Sequence, residues 1–295
     1  METRLKLGYW IAELRIHHWV KNILVFIPAI ANHSFLEKVS IVSGLKAFIA
    51  FSLTASCIYL LNDLLDIDSD RKHPVKRFRP LAAGHITKTQ ALLASIILLT
   101  LASSLVYYWN LDLILVLALY FVLNINYSLY LKKIPILDVV VLAVMYELRI
   151  VGGGIAADIQ LSTWLISSSA FLFLSMALAK RYTELLQMSL TASSINSRRG
   201  YFEGDLSLIQ TLGVVSSFNC VLIFNLYIND PDTLLMYSKP KFLLLLLPIL
   251  TYIFAKKWLD VNRNRTSEDP IVDFFSDKSL LLLIPVFLVV IFMAL

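Results

Sequence analysis

The chain has 295 residues, of which 58% are hydrophobic and only 16% charged, with a mean hydropathy of +0.73. A soluble domain carries about a quarter charged residues, and the apolar residues here run in blocks too long for one aqueous core; a soluble fold is excluded, and an all-α integral membrane protein follows. The formal net charge of +5 falls mostly in alternate loops, which marks a membrane topology and gives no reason to expect a nucleic-acid partner.

At about 20 apolar residues per crossing, the chain predicts about nine transmembrane helices, near 20–36, 41–62, 89–108, 111–130, 136–156, 162–179, 207–228, 241–256 and 279–294. Asn32 and His33 interrupt the first. The basic N-terminus is not followed by a short apolar core with a small-residue cleavage site, so no cleavable signal peptide is expected. Most of the 26 Lys and Arg lie in the N-terminus and the loops after the second, fourth, sixth and eighth helices. The opposite loops hold Lys38, Lys46, Lys239 and Lys241. Positive charge marks the cytoplasmic side, so the N-terminus is expected in the cytoplasm. A single domain over 1–295 is expected, with cytoplasmic cap loops near 63–88, 130–135, 180–206 and 257–278. Cys57 and Cys220 fall inside predicted helices and read as small buried residues, without a disulfide or zinc pattern.

The richest stretch begins where the second helix ends: Asn62-Asp63-Leu64-Leu65-Asp66-Ile67-Asp68-Ser69-Asp70, followed by a basic run through Lys76 and Arg79. In a continuing helix Asp63, Asp66 and Asp70 stand at i, i+3 and i+7 and share one face. Carboxylates so arranged repel one another unless a cation sits among them. Mg²⁺ suits such oxygens, since it uses one or two carboxylates together with substrate phosphates. The basic run then supplies donors for the remaining phosphate oxygens. Asp68 lies off that face and reads as surface charge. His73 either contacts phosphate or shapes the loop with Pro74.

Farther along, Arg149 lies deep in the fifth predicted helix, where a charge is costly unless it meets a partner or an aqueous cavity. Asp138, eleven positions earlier, shares its face. Glu147 points roughly the other way. Gly152-Gly153-Gly154 reads as a site of close helix packing. The five tryptophans lie near predicted helix ends and read as interfacial anchors.

Asn62-Asp63-x-x-Asp66-x-x-x-Asp70, with Trp19-Val20-Lys21-Asn22 before it and Arg79-Pro80-Leu81-Ala82-Ala83-Gly84 after it, resembles the first aspartate-rich motif region of the UbiA superfamily of intramembrane prenyltransferases. The resemblance covers nearly the whole chain. It implies a UbiA-like helical barrel around a membrane-buried cavity, with a polar cap that binds diphosphate and Mg²⁺ through Asn62, Asp63, Asp66 and Asp70. Aromatic prenyltransferases of the superfamily carry a second aspartate pair in the 6–7 loop. Here that loop reads Lys180-Arg181-Tyr182-Thr183-Glu184-Leu185 and has none. With Tyr127, Lys132, Asp138 and Leu148-Arg149, it is similar to the decaprenyl-phosphate phosphoribosyltransferase branch. That resemblance implies phosphoribosyl diphosphate (PRPP) as donor and a polyprenyl, decaprenyl-type phosphate as acceptor, at the cytoplasmic face of the plasma membrane. Lys21, Asn22, Lys76, Arg79, Lys132, Arg149, Lys180 and Arg181 become the expected substrate-binding residues, and Tyr127 and Asp138 would contact the ribose or position those cations.

Two rival readings follow from the same residues. A prenyl diphosphate donor acting on an aromatic or haem-like acceptor keeps the fold but asks for the missing second motif. A secondary transporter asks for repeated halves and midplane ion sites, whereas these acids gather at one mouth. The Asp-Gly-x-x-Ala-Arg signature of CDP-alcohol phosphotransferases is absent from the sequence.

Overall fold

The structure is a computed structural model that describes residues 2–190, 199–265 and 277–295. Parts of the expected cap loops near 180–206 and 257–278 lie outside the described residues. Every regular element described is helical. The chain groups into two compact units: Met1–Tyr130 with Leu148–Leu161, and Leu131–Glu147 with Ser162–Leu295.

The first unit holds α1 (Glu2–Glu13), a 3₁₀ stretch (Ile16–Phe26), α2 (Ile27–Ala31), α3 (Lys38–Leu65), α4 (Ile67–Lys72), α5 (Lys88–Tyr107), α6 (Leu111–Leu129) and the second half of α7 (Leu137–Ala157). Its inner helix is α3: 61% of its apolar window is buried, against 22% for α5 and for α6. The sequence explains the difference. Small residues recur along α3: Ser40, Ser43, Gly44, Ala47, Ala50, Ser52, Ala55 and Ser56 are all buried. Small residues let neighbouring backbones approach, which is how helices associate where lipid removes the hydrophobic drive. By contrast α5 turns Leu92, Leu93, Ile96, Ile97 and Leu101 outward, a face that only lipid solvates well. The 3₁₀ stretch lies along α3, with Trp19 Nε1 donating to Ser56 Oγ at 3.0 Å and Asn22 Nδ2 to Ser52 Oγ at 2.9 Å. Close packing accounts for the glycine triplet: a Cβ on Gly153 would lie 2.0 Å from the Val25 carbonyl oxygen.

The second unit holds the first half of α7, then α8 (Thr163–Leu190), α9 (Leu206–Ile228), α10 (Pro231–Met236), a 3₁₀ turn (Pro240–Leu245), α11 (Leu246–Asn262), α12 (Lys278–Leu281) and α13 (Leu283–Ala294). Its core joins Val139, Ala177, Leu178, Tyr182, Ile209, Trp258 and Val261. Trp258, expected as an interfacial anchor, is a core residue: it packs on Gly213, and its Nε1 donates to Ser175 Oγ at 3.1 Å. Cys57 and Cys220 are buried free thiols.

Among the described residues, seven helices are long and apolar enough to cross a membrane: Lys38–Leu65, Lys88–Tyr107, Leu111–Leu129, Leu137–Ala157, Thr163–Ser189, Glu203–Ile228 and Pro240–Asn262. The first and last of the nine expected crossings correspond to shorter apolar stretches, Ile16–Ala31 and Leu283–Ala294. The reason is local. The first is wound partly as 3₁₀ helix and stops at Asn32, and the last begins only after a break at Leu282.

Candidate active site

The polar chemistry of the first unit gathers where α3 ends. The helix stops at Leu65 because Asp66 takes φ −94° and ψ 3°, and α4 restarts one residue later. The i→i−4 pattern survives the break, with Asp66 N donating to Asn62 O and Asp70 N to Asp66 O. Asp63, Ile67 and Asp70 face inward, the two acids only 5% and 3% exposed, whereas Asp66 and Asp68 are exposed. The shared inner face is therefore 63/67/70, and Asp66 stands outside it, unlike the continuous-helix expectation.

Two guanidiniums close on this pair. Arg79 Nη1 donates to Asp63 Oδ1 at 2.9 Å and to Asp70 Oδ2 at 2.6 Å. Arg15 Nη2 reaches both oxygens of Asp63 at 2.7 Å and lies 4.7 Å over the Tyr59 ring. Arg15 is held in the left-handed region, φ 50°, a conformation an L side chain adopts only when its surroundings fix it. Glu13, just upstream and also buried, accepts from the Leu81 backbone N–H at 3.2 Å. Burial, then the neighbouring Asp63 carboxylate, push its carboxyl up to about 7. That bond pins the Arg79-Pro80-Leu81 turn beside Asp63. His73 shapes the loop, its Nδ1 accepting from the N–H groups of Val75 and Lys76.

The donor set suits a hard divalent cation. Asp63 and Asp70 both reach one nitrogen, so a single cation serves both, and Asn62 Oδ1 is buried with no hydrogen-bond partner. Among the described residues no three His, Cys, Asp or Glu side chains converge. Two carboxylates agree with Mg²⁺ that takes its other ligands from water and phosphate, and they do not make a complete protein cage.

A second cluster in the same unit surrounds Arg149. Its Nε donates to Asn22 Oδ1 at 2.8 Å and its Nη2 to Tyr120 Oη at 2.9 Å. Asn22 in turn donates to Ser52, so two of the expected substrate-binding residues, Asn22 and Arg149, come together. Lys21 and Lys76 are half-buried, as is Tyr127.

In the second unit, Asp138 and Arg181 form a buried ion pair, Nη2 to Oδ2 2.7 Å, at 0% and 1% side-chain exposure. Tyr201 Oη donates to Asp138 Oδ1 at 2.5 Å and accepts from Ile136 N–H at 2.7 Å. Arg181 also pairs with Glu184, and Arg199 Nε lies 3.7 Å from the same carboxylate. Burial, followed by the bond to Asp138, holds the Tyr201 hydroxyl well above the usual phenol range. Arg181 is thus enclosed by protein and not open to a phosphate, whereas Lys132 and Lys180 are half-buried. Glu147 accepts from Ser169 Oγ at 2.8 Å.

Sequence reasoning passed over Glu13, Arg15, Tyr120 and Tyr201. Tyr120 carried a signal, as a hydroxyl inside an apolar run. Glu13 and Arg15 carried none, because charged residues before a first crossing are ordinary.

A model described as the UbiA prenyltransferase family matches residues 23–277. The uncharacterized protein y4nM of Sinorhizobium fredii is 34% identical over 272 residues, which are 92% of this chain but 52% of that protein, so the chain spans about half its length. A decaprenyl-phosphate phosphoribosyltransferase of Mycolicibacterium smegmatis is 36% identical over 219 residues, 71% of this chain and 68% of that one. A UbiA homolog from Archaeoglobus fulgidus, bound to GPP and Mg²⁺, superposes with a TM-score of 0.64 at 16% identity, covering 86% of this chain and 87% of its own. At that identity the likeness concerns the fold.

Proposed function

The chain belongs to the UbiA prenyltransferase family, and on that premise we propose that it transfers 5-phosphoribosyl from PRPP to a polyprenyl, decaprenyl-type phosphate with release of diphosphate. The observation that carries this reading is what stands at Lys180–Leu185. Where aromatic prenyltransferases would have a second aspartate pair, the one acid, Glu184, is bound by Arg181. One carboxylate pair, Asp63 with Asp70, is left for metal, which suits a single Mg²⁺-diphosphate and a donor held otherwise by cations. Similarity to the mycobacterial phosphoribosyltransferase supports the same donor.

In this reading Asn62, Asp63 and Asp70 hold Mg²⁺, with Asp66 at the rim; when bound, the ion supplies Lewis-acid stabilisation of charge on the departing diphosphate. Arg79 and Lys76 bind diphosphate oxygens beside it. Lys132 and Lys180 take the remaining phosphates of donor and acceptor, and Tyr127 contacts the ribose. Asn22 and Tyr120 fix the Arg149 guanidinium, which with Lys21 binds phosphate. Asp138 acts by holding Arg181, and both act through the fold. The acceptor phosphate is already ionised at neutral pH, so its attack on the ribosyl C1 needs no strong general base. We take the whole chain as one catalytic domain of a plasma-membrane protein, its site toward the cytoplasm.

The test is product analysis after incubating the purified protein in lipid nanodiscs with labelled PRPP, Mg²⁺ and polyprenyl phosphates. A phosphoribosylated lipid is expected. Transfer from a prenyl diphosphate to an aromatic acceptor, with none from PRPP, would replace this reading by the prenyltransferase one.

A further inference from the structure

Nothing in the motif itself says what holds two buried carboxylates together before substrate arrives. The structure gives the answer: Arg79 bridges Asp63 and Asp70 through one nitrogen, and Arg15 reaches both oxygens of Asp63 through its Nη2. The two buried acid charges are matched by two guanidinium charges whose side chains are 21% and 29% exposed. A bare divalent ion entering there would bring two further positive charges beside two cations already in contact with its ligands. It would also have to displace Arg79 from the oxygens it needs. A divalent ion that arrives with a diphosphate brings its own negative charge, and the oxygens of that diphosphate are acceptors for the guanidiniums that must let go.

We propose that Arg15 and Arg79 form an internal-cation latch: they exclude free metal from the Asp63–Asp70 pair and admit it only as a metal-diphosphate, to which both arginines then turn. Metal and diphosphate therefore bind as a unit rather than metal first. The inference deepens the reading above and rests on it, since it assumes that these acids take a metal-diphosphate. Arg15 is the telling member. It comes from outside the aspartate motif and its basic run, and its left-handed backbone and its stack on Tyr59 aim the guanidinium at Asp63.

The experiment is equilibrium dialysis of the full chain in nanodiscs against radioactive Mn²⁺, with and without labelled inorganic diphosphate, at matched free Mn²⁺. The wild-type protein should retain at least about tenfold more Mn²⁺ when diphosphate is present, because removing like charge from beside a divalent ion is a large effect at short range, and diphosphate should be retained with it. R15M should retain Mn²⁺ alone about tenfold better than wild type. R15K keeps a charge but loses the planar guanidinium and its stack on Tyr59, and it should fall between the two; together with the wild-type measurement it decides the matter should R15M fail to fold. Wild-type protein that binds Mn²⁺ alone as well as it does with diphosphate overturns the latch and leaves the metal reading standing. Wild-type protein that retains neither Mn²⁺ nor Mn²⁺-diphosphate overturns both.

Discussion

Replacing Arg181 by Met separates a phosphate-binding arginine from a buried brace. The side chain is 1% exposed and lies between Asp138 and Glu184, with the Tyr201 ring 5.6 Å from its guanidinium carbon. Met fills most of the volume but leaves the Asp138 carboxylate, itself 0% exposed, without its counter-charge. Removing one partner of a buried pair costs about 3–5 kcal/mol, and the surviving Tyr201 bond argues for the lower end. At about 2–4 °C per kcal/mol for a chain of this size class, the melting temperature should fall by about 10 °C. Replacing Asp138 by Leu as well removes the stranded charge, so D138L/R181M should be more stable than R181M. Thermal unfolding in detergent, followed by tryptophan fluorescence, measures all three proteins. Had Arg181 served a phosphate, R181M would melt with the wild type while losing PRPP-dependent activity. That outcome would refute the brace.

Asp63→Asn and Asp70→Asn should each remove most activity in the product assay, whereas Asp66→Asn, at the exposed rim, should keep more than either. Glu13→Gln should change how stability varies with pH. The Glu13 carboxyl is raised from 4.5 to about 7 in the fold, so the folded state binds the proton more tightly and wild-type stability should fall as pH rises across that interval; melting curves at pH 5 and pH 8 should draw together in the variant. Gly153→Ala places a methyl 2.0 Å from the Val25 carbonyl and, since overpacking costs about 1–3 kcal/mol or more, should lower the melting temperature. An unchanged melt would mean that the 3₁₀ stretch yields freely.

The helices were legible because lipid imposes a length and a polarity on each one, and blocks such as 88–107 and 111–129 satisfy both without help from neighbours. Asp63 and Asp70 were legible for the same reason, since acids at the mouth of an apolar helix are costly unless something uses them. Asp66 was misplaced because the expectation assumed that one helix ran on, while the break at that very residue is what puts it outside. Arg181 was assigned to substrate because a lysine–arginine pair at a helix end looks solvent-facing. Only the tertiary meeting of α7 and α8 shows that Asp138 claims it. Arg15 and Glu13 escaped because their meaning lies in Asp63 and Leu81, 48 and 68 positions away in sequence.

The winding of residues 16–26 has a metrical consequence. Three residues of 3₁₀ helix advance about 6 Å, and so do four residues of α-helix. The rungs Trp19–Ser56 and Asn22–Ser52, three apart on one strand of the ladder and four apart on the other, are thereby commensurate, which an α-helical segment would not be. The same stretch of eleven residues covers about 22 Å, and the five of α2 add about 7.5 Å. Sixteen residues thus measure about the 30 Å of a hydrocarbon core, a span for which α-helix requires about twenty. The segment carrying Lys21 and Asn22 is a stretched ruler, and the amide that meets Arg149 keeps its place only while the stretch is maintained.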